Sequence, residues 1–395
     1  MLSRKALVAA VSTAVFATAA YVIYPYLQAE PQTVQLVDTT DELQRVTQER
    51  FENAERSNEL ETNYPRALVR ETLSEEQAKL FFPGIGSNAS SEYDPLEFIR
   101  RAPHFDKWFK FAEHPDGGWH LRTNALGMRN DGEVSETPPD LRVLVTGDSH
   151  VEGVCANQES CTFVLGELLA GANPGRSIEV LNAGAGAHNL FNYLGTFERF
   201  AYLKPDIYVV VVYGGNDFSA SMLLDRYFRK RPAFKTRPHM FEQQDMRAAA
   251  GSLLPQELSQ DVYFSNNPDD LPLAVELACA FSVELHALCE AQGTELLFVY
   301  LPPPTQAQPQ HFQDELDDLM SSARMDPKWL GSSSRIADQW LSFLDDRGFE
   351  CIDLRESFRE SEACLYWRTD HHLNVAGHER LGRAVFDRLT EHYPR

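Results

Sequence analysis

Leu141-Arg142-Val143-Leu144-Val145-Thr146-Gly147-Asp148-Ser149-His150 is the stretch on which the reading of the fold turns. Arg142 to Thr146 reads as a short apolar strand, and it stops at Gly147. The turn that follows carries a serine. A nucleophilic serine needs such exposure, and glycine tolerates the tight geometry. Asp148 or Ser149 would equally serve to cap a following helix. Downstream, a helix is expected from about Thr162 to Ala170 and a second strand at Ile178–Asn182. A helix over Leu190–Leu203 comes next. Ile207–Tyr213 is a continuous apolar, β-branched run, as a strand buried on both faces requires. Leu271–Gln292 reads as a long helix stopped by Gly293, and Glu295–Leu301 as a fourth strand. Arg335–Asp346 (helix), Phe349–Asp353 (strand) and Val375–His392 (helix) complete the series. This alternation predicts an α/β fold with a parallel sheet between two helical layers. Ligands then belong beyond the carboxyl ends of the strands.

Two segments break the rhythm, 219–270 and 302–331, and both leave strand carboxyl ends. The first holds Arg226, Arg229, Lys230, Arg231, Lys235 and Arg237. That basic cluster suits an anionic substrate, lipid headgroups, or simply a solvated face of an acidic protein. The chain shows no internal repeats.

Toward the N-terminus the character changes. Arg4 and Lys5 precede an apolar run from Ala6 to Leu27. Twenty-two helical residues reach about 33 Å, enough to cross a bilayer. The leading positive charges place the remainder outside the cytoplasm. A signal peptide cut after Ala17-Thr18-Ala19 is the alternative to an uncleaved anchor. Apolar residues continue through Tyr21, Val22, Ile23 and Tyr24, which favours the anchor. The chain thus divides into a membrane helix at 1–27, an acidic stalk or packed extension at 28–100, and a domain at 101–395. A capped helix is expected from Thr40 or Asp41 to about Leu60.

Composition narrows the classes. With 22 Gly and 22 Pro in 395 residues, the chain is neither collagen-like nor of low complexity. A hydrophobic fraction of 43% can fill a core. A net charge of −22 repels phosphate backbones, which argues against a nucleic-acid partner. Six cysteines suit an exported protein. Cys155 and Cys161 flank one short segment and Cys351 and Cys364 another, so either pair could close a loop. Cys279 and Cys289 fall on one helix, about 15 Å apart, too far to bond and suited to a core. Their spacing fits no zinc site.

Three further motifs follow strands. Asn182-Ala183-Gly184-Ala185-Gly186-Ala187 is small enough for backbone N–H groups to face a site unobstructed. It lacks the spacing of a dinucleotide fingerprint. Gly214-Gly215-Asn216-Asp217 offers an amide donor to a developing oxyanion, or an ordinary turn. Asp370-His371-His372-Leu373-Asn374 offers an imidazole base with a carboxylate two residues before it. Capping by Asp370 or Asn374 is the plainer reading there. Metal ligation by His371 and His372 finds no accompanying ligand spacing, so neither a metal nor a cofactor is expected.

Together the four motifs supply a nucleophile, oxyanion donors, a base and its orienter on one sheet edge. The set resembles the SGNH hydrolase family, also called GDSL esterases, over roughly residues 120–395. Gly147, Asp148 and Ser149 match its first block. Gly214 to Asp217 match its Gly-x-Asn-Asp block, and Asp370, His372, Asn374, Gly377 and His378 its last. Thr123-Asn124-Ala125-Leu126-Gly127-Met128-Arg129 looks like a segment that precedes the first block in exported members. The resemblance implies a flavodoxin-like three-layer α/β/α fold without an obligatory metal. It implies catalysis by Ser149, His372 and Asp370, with Asn216 and the backbone of Gly186 holding the oxyanion. Two departures stand out. The spacing here is Asp-x-His rather than Asp-x-x-His, a spacing also found among cell-envelope acyl-transferring relatives. In the glycine block, either Gly186 or Ala187 can occupy the donor position.

The expectation is a membrane-anchored serine esterase on the periplasmic or extracellular side, acting on O-acyl, chiefly O-acetyl, groups of envelope or extracellular glycans. Envelope proteins are possible partners. The alternatives are an O-acetyltransferase using the same residues, a lipid or lysophospholipid esterase, and a catalytically dead binding or scaffold protein.

Overall fold

Every residue of β7 (Ile207–Tyr213) is buried, and this strand is the centre of a five-stranded sheet. The computed structural model describes residues 68–86, 90–230, 260–261, 263–264, 267–323 and 331–392. The expected membrane helix, the stalk to residue 67 with its 40–60 helix, and the basic positions Arg231, Lys235 and Arg237 lie outside the described residues. β5 (Leu141–Thr146) and β8 (Glu295–Leu301) flank β7. β6 (Ile178–Asn182) and β9 (Cys351–Asp353) form the edges. The order is β6-β5-β7-β8-β9, parallel throughout. In order of appearance along the chain this is 2-1-3-4-5, the flavodoxin-like order with its ligand crevice beside the first strand. The three-layer α/β/α fold expected from the sequence is the one observed.

Alternate residues of the central strands feed two cores. Tyr208, Val210 and Val212 join Leu144, Phe298 and Tyr300 on one face. There they meet Tyr193, Phe281, Trp340 and other residues of helices Leu190–Phe200, Asp270–Gln292 and Ser332–Asp346. Val209, Val211 and Tyr213 join Val143, Val145, Val299 and Leu301 on the other. Helices Cys161–Ala172 and Val375–His392 cover that side with Leu165, Leu169, Leu381 and Val385. Each fully buried aliphatic side chain contributes about 1.5–3 kcal/mol. A run buried on both faces therefore has no polar alternation to show. Helix Asp270–Gln292 is long and apolar enough to cross a membrane by composition, yet its Ala278, Phe281 and Leu285 are wholly buried in this core. It stops at Gly293, φ 70°, as its sequence predicts.

The described part of the expected stalk is built into the domain. Ser74 caps helix Glu75–Phe81 through a reciprocal bond pair with Gln77, and Ala78, Phe81 and Phe82 enter the core. β1 (Ser91–Asp94) and β2 (Phe98–Arg101) form a hairpin whose turn rests on helix Leu190–Phe200. A Cβ on Gly195 would lie 2.0 Å from Leu96 O, so only glycine admits this approach. A second hairpin, β3 (Asp106–Lys110) and β4 (Gly118–Arg122), stands nearer the strand carboxyl ends. Segment 302–323 contributes helices Pro304–Ala307 and Pro309–Ala323.

All six cysteines are free thiols, so neither of the two pairs that could have closed a local loop does so. The turn between Cys155 and Cys161 is closed instead by Arg129. This buried side chain donates to the carbonyls of Glu152, Gly153 and Cys155 and to Asn157 Oδ1. Cys351 lies in β9, whereas Cys364 Sγ donates to Tyr366 O.

Candidate active site

β5 ends at Thr146, and the next residues reverse the chain within one turn. A Cβ on Gly147 would lie 2.3 Å from Val151 Cγ2, so the tightness of the turn requires glycine. Asp148 caps the single-turn helix Ser149–Glu152 by accepting the His150 N–H, at 2.9 Å. The capping reading holds for Asp148, and Ser149 is the first residue of the helix it caps. Asn182, at the end of β6, ties this turn to the glycine block. It donates to Val151 O and accepts the Gly184 N–H, each at 3.0 Å.

Ser149 Oγ lies 2.8 Å from His372 Nε2, although 223 residues separate them. Asp370 Oδ2 lies 3.4 Å from His372 Nδ1, and Asp370 Oδ1 accepts the His372 N–H at 3.1 Å. Only His371 stands between the two, and it takes φ 60° to bring them round. Burial opposes protonation of His372, but the charge and hydrogen bond of Asp370 prevail and hold its pKa above the ordinary imidazole value. The two histidines go to different neighbours. His371 sets its ring edge against Phe312, centroids 5.2 Å apart, while His372 faces Ser149. Asn374 caps the last helix through the Gly377 N–H and holds the carbonyls of Cys364 and Tyr366.

His150 packs against His372. Its ring lies 3.8 Å from that of Tyr213 and 4.8 Å from that of His372, and Nδ1 accepts the Leu373 N–H. Burial drives its pKa well below the usual value, so it is a neutral spacer. Next to Ser149, two buried carboxyls, Asp148 and Asp217, oppose each other. Burial pushes Asp148 up to about 6. Asp217 accepts from Tyr213 N at 2.8 Å and Tyr193 Oη at 2.7 Å. Burial and the charge of Asp148 lift its pKa well above the carboxylate range. Asn216 stands at the N-terminus of helix Asp217–Phe228, where its carbonyl accepts from Ser219 Oγ at 3.0 Å.

Gly186 needs correction. Its N–H is not open: it donates to Glu152 Oε2 at 2.7 Å. The neighbouring Ala187 is exposed, has φ 69°, and its N–H has no acceptor among the described residues. Of the two positions left open by the sequence, Ala187 is the one with a free donor. Gly186 is still at the site, since a Cβ there would lie 3.9 Å from Ser149 Cβ.

Three residues escaped sequence reasoning. Glu152 carries the Gly186 N–H and pairs with Arg101, which arrives from β2. Glu152 lies three residues after Ser149, within reach of a motif reading. Arg101 left no local signal. Neither did Glu113, in the turn between β3 and β4, whose carboxylate accepts Arg368 N and Thr369 N at 2.7 and 2.8 Å. Those two amides immediately precede Asp370. Trp367 closes the same contact, with its ring 5.3 Å from that of Phe111 and its Nε1 donating to Val154 O.

No protein-family model and no curated protein matches the chain. Solved structures similar to it include LAE5, an alpha/beta hydrolase enzyme from the metagenome of Lake Arreo, Spain. Identity is 13% and the TM-score 0.39, over 64% of this chain and 96% of that one. TesA is similar at 13% identity and TM-score 0.36, over 63% and 98%. A catalytic mutant of Axe2, an acetylxylan esterase from Geobacillus stearothermophilus, is similar at 14% identity and TM-score 0.39, over 65% and 96%.

Proposed function

We propose that the protein is a serine esterase that removes small O-acyl groups, chiefly O-acetyl, from glycans outside the cytoplasmic membrane. The observation that carries this reading is the contact of His372 Nε2 with Ser149 Oγ at 2.8 Å, with Asp370 behind the imidazole. Four motifs distant in the chain meet at one sheet edge with complementary chemistry. A scaffold without catalysis gives no reason for that convergence.

His372 takes the Ser149 proton as Oγ attacks the ester carbonyl. The oxyanion is received by the N–H groups of Ser149 and Ala187 and by the Asn216 amide. Collapse expels the sugar oxygen, which takes the proton back from His372. Water, activated by the same imidazole, then releases the acid from Ser149. Asp370 fixes the tautomer and steadies the imidazolium. The polar or small residues around Gly186, next to Ser149, namely Arg101, Glu152 and Ala187, suit a small acyl group on a polar acceptor rather than a long lipid chain. The apolar run at 6–27 after Arg4 and Lys5 supports an anchor with the domain on the extracytoplasmic side. Acyl transfer to a sugar hydroxyl is the second reading, favoured by the Asp-x-His spacing.

The test is p-nitrophenyl acetate hydrolysis by the full-length protein in mild detergent, beside Ser149→Ala, followed by acetate release from acetylated oligosaccharides. Activity abolished by Ser149→Ala supports the reading. Activity retained in that variant refutes it. Sugar acetylation exceeding hydrolysis selects the transferase.

A further inference from the structure

The β1–β2 hairpin lies outside the sheet, yet its last residue reaches the helical turn that carries Ser149. Arg101 Nε pairs with Glu152 Oε1, and its Nη1 donates to Ser90 Oγ and Ser91 Oγ, both at 3.0 Å. The side chain of Glu152 is 5% exposed, and its other oxygen takes the Gly186 N–H. A Cβ on Gly186 would lie 3.2 Å from Glu152 Oε2, 3.5 Å from Arg101 Nη2 and 3.9 Å from Ser149 Cβ. The ion pair, the glycine block and the nucleophile therefore meet around a single point. Burial alone would raise the Glu152 pKa, but Arg101, with a further contribution from Arg129, brings it below the ordinary value.

A carboxylate beside a developing oxyanion works against catalysis unless it is neutralised and held. The arrangement does both. With one oxygen on Arg101, the other stays on the Gly186 N–H, which pins the chain just before the left-handed Ala187. We infer that Arg101 is a positioning residue for the oxyanion-binding loop. Through its ion pair it keeps Glu152 on the Gly186 N–H and offsets that charge, leaving the Ala187 N–H open beside Ser149. The inference rests on the proposed esterase reading and deepens it. It also assigns a task to the N-terminal hairpin, which is otherwise only packing.

A double-mutant cycle on the full-length protein tests it, with p-nitrophenyl acetate as the probe and Ser149→Ala run alongside. Arg101→Met strands the buried Glu152 charge and should lower kcat on the order of 30-fold with little change in KM. Adding Glu152→Gln to Arg101→Met removes the stranded charge while an amide oxygen can still take the Gly186 N–H. About tenfold of the loss should return. A residue that binds substrate directly gives no such rescue. Unchanged kcat in Arg101→Met overturns the inference, and so does a double variant no faster than the single one. Glu152→Ala provides an independent check should Arg101→Met fail to fold. It removes the acceptor and should also lower kcat on the order of 30-fold, and wild-type kcat there overturns the inference. If Ser149→Ala retains activity, the esterase reading itself has failed; if Ser149→Ala is inactive but the cycle shows no rescue, only the role of Arg101 has.

Discussion

Removing the carboxylate of Glu113 should slow the enzyme without unfolding it. Glu113 stands in the turn of a surface hairpin, and its two oxygens accept the N–H groups of Arg368 and Thr369 at 2.7 and 2.8 Å. The next residue is Asp370, whose contact with His372 Nδ1 is already long at 3.4 Å. The loop closes on itself through Trp367 N to His372 O at 2.8 Å and His371 N to Trp367 O at 3.0 Å. Glu113 therefore holds a small rigid loop from outside. Because the carboxylate is only half-buried, each bond is taken at the modest end, about 1 kcal/mol. Two such bonds make about 2 kcal/mol. If that energy falls wholly on the closed loop, Glu113→Ala lowers the closed-to-open ratio about thirtyfold, at 1.4 kcal/mol per decade, and kcat falls by up to that factor. Glu113→Gln keeps one carbonyl acceptor and should lose about fivefold, by the same conversion. The assay is kcat and KM for p-nitrophenyl acetate across pH, with a thermal melt of each variant. The loss should lie in kcat. The acidic limb of kcat/KM should also move to lower pH, as Asp370 supports His372 less well. Equal activity in all three proteins would falsify the clasp. A loss confined to KM, with the pH profile unmoved, would refute it equally.

Three other outcomes follow from the site and its frame. Asp370→Asn should lower kcat on the order of a thousandfold, because the imidazole loses its orienting carboxylate. His372 acts as base only when neutral, and Asp370 raises its pKa, so the residual activity of Asp370→Asn should persist to lower pH than in the wild type; a pH–rate profile that does not shift downward contradicts this. Asn216→Ala should cost about 3 kcal/mol of transition-state stabilisation, or on the order of a hundredfold in kcat, checked by steady-state kinetics; activity within twofold of wild type excludes Asn216 from the oxyanion site. Gly214→Ala places a Cβ 2.1 Å from Tyr300 Oη, inside the core face of β8. Overpacking of this kind costs about 1–3 kcal/mol, and urea unfolding should register it as a lower midpoint.

The parts legible in the sequence share a physical property: their signal is local. β7 and β8 are read without error because strands buried on both faces leave continuous apolar runs, seven residues in β7 and six, after Glu295, in β8. The serine, the Asn216 turn and the Asp370–His372 pair each sit within a few consecutive residues after a strand, so composition and order suffice to find them. The clasp and the ion pair are different. Glu113 meets Arg368 across 255 positions, and Arg101 meets Glu152 from a four-residue strand with no alternating pattern. Such pairings leave no periodic trace, since one polar residue in a turn looks like any other. Local reasoning also fails in a more instructive way at the glycine block. The sequence offers Gly186 or Ala187 as the free backbone donor, and glycine is the residue best suited to left-handed backbone. The left-handed residue is Ala187, at φ 69°, whereas Gly186 lies outside the positive-φ set. Gly186 is small for another reason: Glu152 Oε2 and Arg101 Nη2 stand 3.2 and 3.5 Å from where its Cβ would be. Glycine is used here for room rather than for rotation. Only knowing that an ion pair from a distant hairpin fills that space distinguishes the two uses. The donor position and the identity of its support are therefore one question, answered by the tertiary structure.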